Sequence, residues 1–272
     1  MDSPKTTPID APPGIIIEAE PDGILVIRID RPGRANAIDK AMHTRLCTVW
    51  ADIAALDCVR AVILTGTGGV FCAGGDRDGW PELVENRRWR GQKMAEARQI
   101  ILEMLRFPVP LIAAINGPAV GLGCSLAVAC DVMLMAEDAY LSDPHVSRGL
   151  VAGDGGAALL PELLPLPVAR RMLFAGERLS AEKARELWLA REVVTRAMLY
   201  ERARAVACEF ASQPREALAG TKRAVNLGLL ARVSANLDFA SQAEEQSFDS
   251  DEFRAMYARH AASPPDDHRP NE

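Results

Sequence analysis

The sequence has no CxxC pair and no Cys/His spacing that would build a metal site or a disulfide framework. Its six cysteines, Cys47, Cys58, Cys72, Cys124, Cys130 and Cys208, read as reduced, mostly buried cytoplasmic thiols, and no metal is expected. It also lacks a basic tract: 31 Lys and Arg stand against 37 Asp and Glu, a net charge of −6 with a pI near 5.4. That balance excludes the electrostatic footprint of a nucleic-acid binder and leaves a small molecule as the expected partner. The opening MDSPKTTPIDAPPG has no apolar stretch that could act as a signal peptide, and residues 1–13 are expected to be disordered. Residues 107–130 carry no charge and are long enough to span a bilayer. Pro108, Pro110, Gly117, Pro118, Gly121 and Gly123 break any spanning helix there, so this is a buried strand, a glycine-rich turn and a buried helix. No internal repeat is evident.

What is present suits one large soluble unit: 49% of the residues are apolar and 25% charged. Residues 15–17 and 24–29 flank Pro21-Asp22-Gly23 as a hairpin. Helical periodicity over 41–56, a strand at 61–65, a long helix over 82–105 and strands at 109–115 and 132–136 follow, with a helix over 124–130 between the last two. Strands alternating with helices predict an α/β core over residues 14–196. Beyond about residue 180 the pattern is helical only, over 181–188, 198–212, 215–229 and 234–247, which gives a helical C-terminal part over 197–258. The polar, proline-rich residues 261–272 are expected to be disordered.

Two buried strands end in glycine-rich turns, at Phe71-Cys72-Ala73-Gly74-Gly75-Asp76 and at 116–123. Glycine lets the backbone approach a ligand, and free N–H groups at a following helix start act as donors. Neither turn matches GxxxxGK, and Gly121-x-Gly123 lacks the third glycine of a dinucleotide fingerprint, so nucleotide phosphates are not the obvious target.

With the segments at 29–39, 62–76, 110–132 and 147–161 taken in order, the chain resembles the crotonase superfamily, that of enoyl-CoA hydratase and isomerase. The likeness covers roughly residues 14–255. It implies a spiral of ββα units with C-terminal helices that assemble the chain into trimers, often paired into hexamers. It implies an acyl-CoA substrate, with coenzyme A as part of the substrate and no permanently bound cofactor. Two backbone amides, by position those of Ala73 and Leu122, would clamp the thioester oxygen and stabilise the enolate or oxyanion; losing such a donor typically costs about 2.7–4 kcal/mol of transition-state stabilisation. The second position is usually glycine in the family, and Leu122 adds a side chain near the acyl pocket. The adenine end of coenzyme A would lie along Arg34, Ala35 and Ala37 and beside Gly74, Gly75 and Asp76.

The resemblance breaks where typical hydratases carry two glutamates that activate water, because the matching positions are Ser125 and His145. Ordinary hydration is therefore expected to be poor. Gly149 and Gly153 suggest a loop that folds Asp154 back toward His145, so that the carboxylate orients the imidazole and the other ring nitrogen becomes the base. The alternative is that Asp154 caps the helix starting near Gly156 and His145 is a half-buried structural histidine. The stretch around His145 and Asp154 is also similar to that in 6-oxocamphor hydrolase, a crotonase relative that cleaves a β-diketone, and His43 and Glu244 match further positions of that enzyme. A single His on a helix such as His43 is more often structural, and Ser125 reads as a passive filler. Three readings stay open: an acyl-CoA enzyme, a β-diketone carbon-carbon hydrolase, and a catalytically inert oligomeric binding protein.

Overall fold

The structure, a computed structural model, describes residues 9–261. Its strands in chain order are β1 (Ile15–Ala19), β2 (Ile24–Ile29), β3 (Ala61–Gly66), β4 (Leu111–Ile115), β5 (Ala119–Val120), β6 (Val132–Ala136), β7 (Tyr140–Ser142), β8 (Leu179–Ser180) and β9 (Glu192–Val194). The expected hairpin forms, with Ile15 opposite Ile29 and Ala19 opposite Leu25. From β2 onward the main sheet is parallel, in the order β1-β2-β3-β4-β6-β9, and β5-β7-β8 make a second, three-stranded sheet. Every residue of β3 and β4 is buried, which is why these strands read as unbroken apolar runs without alternation.

The helices are α1 (Lys40–Ala54), α2 (Trp80–Glu85), α3 (Arg87–Arg106), α4 (Leu122–Val128), α5 (Gly156–Leu163), α6 (Leu166–Ala175), α7 (Ala181–Glu186), α8 (Arg196–Ala211), α9 (Arg215–Ser247) and α10 (Asp251–Ala261). The long helix expected over 82–105 is two: Asn86 leaves helical geometry, and its side chain accepts from the Trp89 amide at 3.0 Å, an N-cap that restarts the chain as α3. The reverse happens near the C-terminus, where the two helices expected over 215–247 are one 33-residue helix. Nothing between them is Gly or Pro, and Val233 and Leu237 bury the joining turn. Among the described residues no helix is long and apolar enough to cross a membrane.

Disorder over 1–13 does not hold for the part described. Ile9 and Ala11 pack against the core, and the Asp10 carbonyl accepts from Arg45. Residues 1–8 and 262–272 lie outside the described residues, whereas Ala261 ends α10.

The main core lies between the sheet and the helices packed on it. A second, smaller cluster joins Trp80, Leu83 and Trp89 to Leu150, Phe248 and Phe253, and so brings α2, α3 and the end of the chain together. Isolated bridges pair Ile38 with Gly75 and Cys72 with Ala119. Through them the loop after β2 and both glycine turns meet at one edge.

Candidate active site

The two glycine turns are in backbone contact. The Val120 amide donates to the Cys72 carbonyl at 2.9 Å and the Cys72 amide to the Pro118 carbonyl at 3.2 Å. Gly74 has φ +91°, and a Cβ on it would lie 2.8 Å from the Val120 carbonyl oxygen. A Cβ on Gly123 would lie 2.3 Å from the Cys72 carbonyl, so a side chain at either position would separate the turns. The amide of Leu122 opens α4 and has no intrahelical acceptor. Ala73 differs from expectation: its amide already donates to the Ala35 carbonyl at 3.1 Å, so an incoming oxygen must share it.

Both turns border a cleft that opens to solvent. Ala73, Gly74, Gly75, Leu122, His43, His145, Asp154 and Glu244 all line it. Ser125 does not. It is fully buried behind the wall, where its hydroxyl donates to Asp154 Oδ1 at 3.2 Å.

The loop does fold Asp154 onto His145, but a second carboxylate, which sequence reasoning missed, holds the ring more closely. Asp143 Oδ1 lies 2.5 Å from His145 Nδ1, while Asp154 Oδ2 is 3.4 Å from Nε2. Burial alone would lower the His145 pKa, yet Asp143 and Asp154 together outweigh it and push it up to about 10. The two flanking carboxylates thus favour the imidazolium over the neutral ring expected to act as a base. Its Cε1 edge faces Gly121, 3.5 Å from the point where a Cβ there would sit, one residue before the Leu122 amide. Asp154 does not cap α5, whose N-cap is Gly155 without a side-chain bond. Glycine is required at both 155 and 156: Cβ atoms would lie 2.9 Å from Ser125 Cβ and 1.8 Å from Asp143 Oδ2.

Asp143, His145 and Asp154 offer ligand atoms within 4.8 Å of one another. The imidazole turns one nitrogen to each carboxylate, the arrangement of a protonated ring; a metal ion would engage only one of those nitrogens.

Glu244 comes from α9 and is 4% exposed, with Oε2 buried and unpartnered. Burial pushes its pKa up to about 8, leaving a largely neutral carboxyl at pH 7. Desolvation likewise raises the Asp154 pKa. His43 is buried against Glu96, with 2.9 Å between Nδ1 and Oε2. Burial lowers the His43 pKa, while bonds from His43 and Gln92 overcome the burial of Glu96 and hold it ionised, so the pair is a neutral imidazole donating to a carboxylate. Arg34 is exposed and paired with Asp78 at 2.6 Å. Ala35 has a left-handed backbone, the Ala37 carbonyl accepts from Arg31 at 2.6 Å, and Asp76 accepts from the same guanidinium at 2.8 Å. Lys93 and Arg148 also line the cleft and were not foreseen. The signal for Lys93 was present: it lies four residues from each of Trp89 and Ala97, on the buried face of α3.

A profile of the enoyl-CoA hydratase/isomerase family matches residues 19–262. The chain is 31% identical over 243 residues to the short-chain-enoyl-CoA hydratase of Clostridium acetobutylicum, covering 88% of this chain and 90% of that one. Its fold superposes with a TM-score of 0.87 on the crystal structure of an enoyl-CoA hydratase/isomerase from Mycobacterium paratuberculosis, at 38% identity over 92% of this chain and 100% of that one. A β-diketone hydrolase from the cyanobacterium Anabaena, solved with (S)-3-oxocyclohexyl acetic acid bound, superposes with a TM-score of 0.81 at 28% identity over 88% of this chain and 98% of that one. With the α/β architecture, the paired glycine turns and the full-length match in agreement, this chain belongs to the enoyl-CoA hydratase/isomerase family, the crotonase superfamily.

Proposed function

We propose that this chain acts on coenzyme A thioesters by removing a proton next to the thioester carbonyl and holding the enolate that forms. The observation carrying this reading is the convergence of the Leu122 amide, the His145 imidazolium and the Asp154 carboxylate on one cleft. Asp154 takes the proton, which reverses the roles expected of it and His145. The electron pair moves onto the thioester oxygen, where the Leu122 amide, the shared Ala73 amide and the adjacent imidazolium stabilise the charge. Asp143 fixes the ring, and Ser125 aims the Asp154 carboxylate. In a substrate with its double bond one carbon further out, the neutral Glu244 carboxyl then protonates the distal carbon and the double bond shifts. Glu244 loses the proton that Asp154 has gained, and solvent restores both. The coenzyme A moiety runs along Arg34, Ala35 and Ala37 and beside Gly74, Gly75 and Asp76, as part of the substrate.

The test is solvent deuterium exchange into the carbon next to the carbonyl of an acyl-CoA. Asp154→Asn is expected to slow exchange by about 10² or more, and exchange at the wild-type rate in this variant would overturn the assignment.

The second reading is β-diketone hydrolysis on a free substrate, favoured by the likeness to the Anabaena hydrolase and by the doubly flanked His145. Turnover of cyclic β-diketones without binding of any acyl-CoA would establish it instead. We further propose cytoplasmic placement and a trimer or hexamer. Exposed Phe174, Trp188, Val225, Leu227 and Phe239 support the assembly, and a monomer by light scattering would refute it.

A further inference from the structure

Lys93 projects from α3 into the cleft beside Gly75, its Nζ 3.4 Å from the point a Cβ there would occupy. Among the described residues its ammonium makes no hydrogen bond or ion pair; Glu244, Asp154, Asp76 and Glu96 act on it only at longer range. Glu244 lines the same cleft, and its Oε2, buried over Gly153, is also without a partner. A desolvated ammonium with no counter-ion is costly to keep, and so is an unpaired buried carboxyl. Since the Glu244 proton is committed to the distal carbon, Lys93 is the group on this cleft left free to hold an anion.

The surrounding charge agrees. Arg148 lines the cleft without an ion pair among the described residues, and His145 adds a further positive charge. Burial pushes both carboxyls on the lining, Asp154 and Glu244, toward the neutral form, and it lowers the Lys93 pKa as well, so an anion held there would draw the Lys93 amine back to its ammonium beside Arg148 and His145. The rest of the wall around Lys93, from Leu83, Met94 and Ala97 to Leu150 and Phe248, is apolar and suits a short methylene chain.

We propose that Lys93 is a specificity-determining residue that binds a carboxylate at the far end of the acyl group, so that the substrate is a monothioester of a dicarboxylic acid. This rests on the thioester reading above. It places the reaction after a step that joins a dicarboxylic acid to coenzyme A through one of its two carboxyls.

Isothermal titration with saturated, unreactive thioesters tests it: 4-carboxybutanoyl-CoA and 5-carboxypentanoyl-CoA, each beside its primary amide, which has the same shape and no charge. Since all four carry the same coenzyme A, contacts with its phosphates cancel. For at least one chain length the acid is expected to bind about 10- to 100-fold tighter than its amide, the scale of a buried charge-assisted hydrogen bond. Lys93→Gln should reduce that ratio to within about two-fold of one, and Lys93→Arg should keep most of it. Equal binding of acid and amide by the wild type at both lengths overturns the role of Lys93 while leaving the thioester reading intact. A preference that survives in Lys93→Gln also overturns it. Binding of none of the four overturns both. The wild-type ratio decides even if a variant fails to fold.

Discussion

Asp143→Asn separates the imidazolium reading of the site from the general-base reading. Asparagine keeps the volume of the side chain and can still accept from the His145 amide, now 3.3 Å from Asp143 Oδ1. What it removes is a full negative charge 2.5 Å from His145 Nδ1, leaving Asp154 at 3.4 Å as the nearest counter-charge. A neighbouring opposite charge commonly shifts a pKa by about 1–3 units, roughly 1.4–4 kcal/mol. The His145 pKa, about 10 in the native protein, should therefore fall to between about 7 and 9. The direct assay is a proton NMR titration of the His145 Cε1 resonance, assigned by its loss in His145→Gln. The functional assay is the pH dependence of deuterium exchange into an acyl-CoA. If the imidazolium stabilises the enolate, activity falls as that proton is lost, so the high-pH limb moves down with the titration midpoint. If the neutral ring is the base, the same fall in pKa improves activity near neutral pH. A midpoint within about half a unit of wild type refutes the electrostatic account of Asp143, and a rate that rises near pH 7 refutes the role given to the imidazolium.

Gly156→Ala should lower the His145 pKa as Asp143→Asn does without replacing a titratable group, because the new Cβ would lie 1.8 Å from Asp143 Oδ2 and must push the carboxylate off the ring; an unmoved His145 titration would contradict this. Glu244→Gln should leave stability unchanged at pH 4 and raise the melting temperature increasingly toward pH 8, since a carboxyl whose folded pKa is raised to about 8 loses stability as pH climbs from its unfolded value. Equal melting curves for Glu244→Gln and wild type at pH 8.5 would refute the elevated pKa. Ser125→Ala removes a donor that lowers the Asp154 pKa, so the acid limb of the exchange profile should move to higher pH. Hydration of crotonyl-CoA should be at least about 10²-fold slower than in a two-glutamate hydratase assayed alongside, because the resemblance implies Ser125 and His145 at the positions of the two glutamates.

The motif order made the glycine turns and the His145–Asp154 encounter legible before any coordinates, because such turns need particular residues at particular places. Asp143 was not legible. In Asp143-Pro144-His145 an aspartate two residues before an amide is ordinary turn chemistry, and the His145 N–H to Asp143 Oδ1 contact is that turn; the same oxygen's bond to the ring leaves no separate trace in the sequence. The Ser125 bond was not legible either, because a serine inside an apolar helix can fill space or bond, and only the position of Asp154 decides which. The split between α2 and α3 turned on Asn86, whose N-cap geometry overrode a periodicity that runs through it. The availability of the Ala73 amide depended on the Ala35 carbonyl, which reaches it through the left-handed turn at Ala35 and Asn36 and not through any local pattern.

α9 carries Glu244 onto the loop that bears Asp154, where a Cβ on Gly153 would lie 2.6 Å from both the Ala240 carbonyl and Glu244 Oε2, and Phe248 follows as part of the cleft wall. The order of synthesis then matters. When the ribosome has delivered the sheet, both turns, His145 and Asp154, one side of the cleft is still open water. An enolate formed there would be protonated by solvent at whichever carbon it reached first. The end of α9 supplies that side of the cleft by docking on the Gly153 backbone. Cleavage between Ser234 and Ala240 should accordingly abolish deuterium exchange into an acyl-CoA.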